Sequence, residues 1–152
     1  MLNITYFCRF GLSYTSFGYA DLEISKPTAS VSTAGGGKDM SIQVSAKLTN
    51  TGAVVGSETA QLYISFPATS ELTHPSLILK AFKKERDMQP GETRTVVFDL
   101  DKYAVSYWEE RFDSWVVESG EYKVHVGPGS EELPLAGSFR IERREGFEWN
   151  GL

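Results

Sequence analysis

The chain of 152 residues has one cysteine, Cys8, so no internal disulfide can form. Histidine is almost as scarce. His74 and His125 stand far apart, and with Cys8 they match no metal-ligand spacing, so no metal is expected. No apolar run approaches the roughly 20 residues of a membrane span. Long basic runs are also missing. Lys83-Lys84 and Arg143-Arg144 are short clusters, and the net charge is -5, so nothing draws the chain to nucleic acid or an anionic membrane surface. The start, Met-Leu-Asn-Ile-Thr-Tyr-Phe-Cys-Arg-Phe, lacks the basic end and apolar core of a signal peptide. Gly35-Gly36-Gly37-Lys38 lacks the Ser or Thr and the helix of a phosphate cradle and reads as a flexible loop, so no cofactor is expected.

Glycine, at 14 residues, and aromatics, at 12%, are plentiful and favour turns and strands. Apolar alternation then places about seven strands. Leu22 and Ile24 mark the first, over 20–25. Ile42, Val44, Ala46 and Leu48 share one face of the second. Ala60, Leu62, Ile64 and Phe66 do the same over 57–66, and a further strand covers 77–82. Val96, Phe98 and Leu100 point inward over 93–100, and Tyr122, Val124 and Val126 over 120–127; residues 137–142 close the set. Asn50-Thr51-Gly52 and Gln89-Pro90-Gly91-Glu92 carry turn chemistry. Asp101 is placed to cap a single helical turn, 107–117 reads as a hairpin-like excursion, and 27–38 reads as a loop or fraying edge. The spacing predicts an all-β sandwich of immunoglobulin-like topology.

Several motifs occur in one order. They are Phe10-Gly-Leu-Ser-Tyr-Thr-Ser-Phe17, Asn50-Thr-Gly52, Val55-Gly56, Ala60-Gln-Leu-Tyr-Ile64, Pro90-Gly-Glu-Thr93 and Ser106-Tyr-Trp108. In that order they resemble the fibronectin type III-like domain at the C-terminus of family 3 glycoside hydrolases, the β-glucosidase and β-xylosidase class. Departures include Ala81 where glycine is usual and Ala104-Val105-Ser106 in place of Asp-Leu-Ser. The resemblance implies a seven-stranded fibronectin type III-like β-sandwich over 20–142. An aromatic arm over 1–19 would act as an interdomain strap, and a tail would cover 143–152. The family is mostly extracellular. Its catalytic residues lie on other domains, in sequence contexts that do not occur here. The resemblance therefore implies a non-catalytic accessory or interaction module that stabilises or docks onto a glycoside hydrolase catalytic domain.

Two groups of residues are candidates for contact. In the arm, Phe7, Phe10, Leu12, Tyr14 and Phe17 would dock a partner domain or support self-association. Tyr107, Trp108 and Trp115 would stack on carbohydrate, making the chain a sugar-binding sandwich. A third possibility is a small domain repurposed as an enzyme, with His74 or an acidic loop residue as acid or base. Glu109, Glu110 and Asp113 gather near the tryptophans, but a solvated loop gives no cause for the raised pKa that a general acid needs. No catalytic residue is assigned.

Overall fold

The computed structural model describes residues 13–25, 28–31, 41–68, 74–111, 113–143 and 148–149. The seven expected strands are β1 (Phe17–Ile24), β3 (Ile42–Asn50), β4 (Gly56–Ser65), β5 (Ile78–Met88), β6 (Thr93–Leu100), β9 (Gly120–Gly127) and β10 (Leu135–Arg143). Four short strands join them: β2 (Thr28–Val31), β7 (Ser106–Glu109), β8 (Ser114–Val117) and β11 (Glu148–Trp149). One layer has the order β1-β3-β6, and the other β2-β10-β9-β4-β5. A smaller ribbon, β11-β8-β7, stands beside them.

The core lies between the two layers, where the alternation predicts it. Ile42, Val44, Ala46 and Leu48 of β3, with Val96, Phe98 and Leu100 of β6, face Leu62 and Ile64 of β4, Val124 and Val126 of β9, and Ile141 of β10. Tyr122 and Phe139 stack in parallel inside, with ring centroids 5.5 Å apart. Leu22 and Ile24 close one edge against Gly137, where a Cβ would come within 3.0 Å of Leu22. Within the loop or fraying edge expected over 27–38, residues 28–31 form the edge strand β2, and residues 27 and 32–38 lie outside the described residues. This strand pairs in parallel with the end of β10, opposite Arg140 to Arg143. Four residues are too few to establish a period in the sequence. β5 runs six residues beyond the expected end at Phe82, through the charged stretch Lys83 to Asp87. It is an edge strand, and charged side chains suit an edge that solvent must cover.

Turns behave as their residues require. Glu92 N donates to Gln89 O at 2.9 Å, and Gly91 takes φ +78, the position a side chain would strain. Asp101 caps the 3-10 turn Lys102–Val105, its carboxylate accepting from Tyr103 N and Ala104 N.

Asn50 fastens four segments at one end of the sandwich. It has no exposed surface. Its Nδ2 donates to Val54 O at 2.9 Å and to Met88 O at 2.8 Å. Its Oδ1 accepts from Thr15 Oγ1 at 2.6 Å and from Gly52 N at 3.1 Å. The backbone of Asn50 meets the next turn as well, donating to Glu92 O and accepting from Gly91 N. Glycine is required at 52, where a Cβ would overlap Thr15 Oγ1. Replacing Asn50 by Ala strands buried partners on each side. Asn50→Ala should destabilise the domain by about 3 kcal/mol, read as a lower urea midpoint at unchanged slope. A loss under about 1 kcal/mol would show that water replaces the amide.

Candidate functional site

The ribbon is where the aromatic candidates meet the surface, and alternation divides them between two faces. Trp108 stands opposite Trp115 in the β7–β8 register, and Tyr107 opposite Val116. Trp108 and Trp115 pack edge to face, with centroids 5.8 Å apart. Tyr103, from the capped 3-10 turn, meets Trp115 in the same way at 5.5 Å. Trp108 is 42% exposed and Tyr103 40%. Lys102 Nζ lies 5.1 Å from the Tyr103 ring centroid. In the β11–β8 register Trp149 stands opposite Trp115. The sequence had grouped Tyr107 with the two tryptophans. The structure sets Tyr107 apart and brings in Tyr103, which the Asp101 cap could have signalled.

Tyr107 turns to the opposite face, into a second aromatic group. Its hydroxyl donates to Glu118 Oε1 at 3.2 Å. The His74 ring stacks on Phe66 at 4.3 Å and sits 5.0 Å from the Tyr107 ring. His74 Nε2 lies 3.8 Å from Glu118 Oε1. Phe66 also touches Tyr122. The Tyr122 hydroxyl is 2.9 Å from Glu118 O and 3.3 Å from Val105 O, donating to one at a time. Lys80 Nζ lies 5.8 Å from the Phe66 centroid and donates to Tyr103 O at 3.3 Å. Burial holds the Lys80 amine below its usual range. His74, read from sequence as a loop residue, is thus packed under the ribbon.

The acidic cluster is ordinary in its chemistry. Glu109 accepts from the backbone N–H and the guanidinium of Arg111, which hold its carboxyl below the usual range. A general acid needs the opposite shift. Glu110 and Asp113 are exposed on the turn. His125 lies in β9, opposite Tyr63 of β4; burial first, and then Lys123, push its imidazole down. Among the described residues, no three His, Cys, Asp or Glu side chains are grouped to hold a metal ion.

Two of the arm candidates fall within the described residues. Tyr14 is 99% exposed, whereas Phe17 opens β1 and packs partly buried against the core. Phe7, Phe10 and Leu12 lie outside the described residues. Thr15, which the sequence did not single out, ties the segment to Asn50.

The family model of the fibronectin type III-like domain matches residues 58–130. A probable β-glucosidase M from Aspergillus fumigatus is 40% identical over 142 residues, covering 87% of this chain and 18% of that protein. A probable β-glucosidase D from Aspergillus niger is 37% identical over 141 residues, again covering 87% and 18%. Among solved structures, the β-glucosidase D2-BGL from Chaetomella raphigera aligns with TM-score 0.75 at 38% identity, covering 86% of this chain and 19% of that one. The GH3 β-glucosidase of Bifidobacterium adolescentis aligns with TM-score 0.73 at 34% identity, covering 87% and 18%. The chain spans less than a fifth of the length of these relatives.

The second aromatic group yields an alkaline signature. Burial, and then the neighbouring Glu118 carboxylate, push the Tyr122 phenol well above the usual tyrosine range. A raised folded-state pKa gives stability that is whole below the unfolded pKa, about 10 for tyrosine, and is lost as pH rises past it. Unfolding free energy should therefore fall above pH ~10. Tyr122→Phe should flatten that fall while costing about 1 kcal/mol at neutral pH. Urea titrations from neutral pH upward test this, and an alkaline profile unchanged by the substitution would refute it.

Proposed function

This chain belongs to the fibronectin type III-like domains of family 3 glycoside hydrolases, and from that premise we propose that it is a non-catalytic accessory domain that stabilises a glycoside hydrolase catalytic domain by packing on it. The observation that carries the reading is the extent of the match. Relatives named as β-glucosidases share most of this chain, yet it spans only 18% of their length. The local chemistry supports the same view. The Glu109 carboxyl is held low by Arg111 rather than raised for proton donation. The buried aromatics serve packing: Tyr122 ties the ribbon to the core, and Phe66, His74 and Tyr107 fill the space beneath it.

The purified chain should release no product from an aryl β-glucoside above the buffer rate. Turnover abolished by Glu109→Gln, Glu110→Gln or Asp113→Asn alone would overturn the reading, because a carboxylate of this domain would then be doing the chemistry.

A second reading rests on Trp108, Trp115 and Tyr103. Two of these rings are well exposed on one face of the ribbon, and indole and phenol rings offer apolar faces to the C–H face of a sugar. On this reading, cello- or xylo-oligosaccharides change the intrinsic tryptophan fluorescence of the chain, and Trp108→Ala removes the change. A flat titration up to millimolar sugar ends it.

A further inference from the structure

The outward face of the five-stranded layer carries an apolar patch at its β5 edge. Phe82 is 70% exposed and Leu79 47%. They stand in register opposite Gln61 and Tyr63 of β4, and Tyr63 in turn stands opposite His125 of β9. Gln61 and Tyr63 point away from the core, since Ala60, Leu62 and Ile64 between and beside them fill it. Yet both are nearly buried, at 8% and 7% exposure. The Tyr63 hydroxyl donates to Gln61 Oε1, and Gln61 Nε2 donates to Pro128 O at 2.8 Å. The centre of this face is therefore a rigid, internally satisfied floor, and Phe82 and Leu79 stand at its rim. His125 lies on it with its imidazole pushed down by burial, so it adds little charge at neutral pH.

We propose that this face, centred on Phe82, Leu79 and Tyr63, is the surface on which the domain docks to the catalytic part of a family 3 glycoside hydrolase. The inference rests on the accessory reading above and names its surface. Two observations favour that occupant. More than four-fifths of each relative's chain lies beyond the part matched here, so such a domain has a large protein surface to meet. Lysines also bracket the patch: Lys84 stands two residues beyond Phe82 on the same face, opposite Thr59, and Lys123 two residues before His125, opposite Ser65. A second copy packed on this face would set lysine against lysine, whereas a partner with carboxylates around an apolar centre would complement it.

The test places this chain in the Chaetomella raphigera enzyme in place of the matching domain and introduces Leu79→Glu with Phe82→Glu. In the isolated chain both residues face solvent, so the double variant should melt within about 2 °C of wild type. In the chimera it should shorten the half-life of aryl-glucosidase activity on heating roughly tenfold, while Val55→Glu, on an exposed loop, leaves it unchanged. If the double variant leaves the chimera unaffected, the proposal fails. The accessory reading survives that result provided the chimera outlasts the enzyme without the domain. If the chimera is no more stable than that truncated enzyme, both fail. An equal loss in the isolated chain assigns the patch to folding and overturns docking. An isolated wild-type chain that sediments as a dimer, dispersed by Phe82→Glu, makes a second copy the occupant and overturns it too. Should the chimera not assemble, the isolated chain is titrated onto the truncated enzyme. Binding lost on Phe82→Glu supports the proposal, and absence of binding by wild type refutes it.

Discussion

A buried carboxamide holds the sandwich in register. Asn50 has two donors and a two-lone-pair acceptor, and all four positions are used. A buried amide left without partners costs free energy, so its partners are fixed once its place is fixed. Those partners come from four separate segments: the entry to β1, the turn into β4, the end of β5 and, through the backbone, the turn into β6. β3 and β6 belong to one layer, and β4 and β5 to the other. One residue therefore sets how the layers meet, because a slip of one position in any of these strands would unmake at least one of its bonds. The same residue fixes the point at which the chain enters the domain, since Thr15 is held between Asn50 and Gly52. Tyr14 leaves that clamp fully exposed.

At the ribbon the constraint is different, because the core is running out. Val105 and Val117 are the last fully buried residues there, and beyond them each strand of the ribbon has two sides to account for. One side is filled by Phe66, His74 and Tyr107 around Glu118, with Tyr122 reaching up from the core to the two carbonyls at the ribbon's base. Among the described residues no layer lies above the other side, and Trp108, Trp115 and Tyr103 shield one another instead. The exposed aromatics thus follow from where the sandwich ends. That accounts for their position whether or not a ligand uses them.

β3, β6 and β9 were legible because each has one buried face, and a buried face writes a period of two. The Pro90-Gly91 turn and the Asp101 cap were legible because their chemistry is local. What escaped detection lacked such a signal. The far half of β5 is charged because it lies at an edge, so its continuation looked like loop. β2 is too short to show a period, and it is held by parallel pairing with a strand distant in the sequence. Tyr107 could not be told from Trp108 by residue type, and the choice of face came only from the Trp108–Trp115 register. The burial of His74 depends on the ribbon folding over it, a contact between residues 74 and 118 that no window of sequence contains. Gln61 and Tyr63 were read as part of a strand motif, but their outward floor needs Pro128 as well.

The two apolar surfaces are not equivalent for binding. The ribbon presents rings that already pack edge to face on each other, so a ligand there gains only the faces left over. The outward face of β5, β4 and β9 presents Phe82 and Leu79 on the edge strand β5, beside Gln61 and Tyr63, whose side chains are already hydrogen-bonded. Binding to such a floor orders few additional rotamers, which lowers the entropic cost that usually erodes the benefit of burying area. Two exposed apolar side chains flanked by polar neighbours resemble the centre and rim of a protein contact more than a concave sugar pocket. The ring cluster on the ribbon and the Phe82–Leu79 patch on the sheet therefore differ in physical character, and neither includes the arm residues to which the sequence assigned docking.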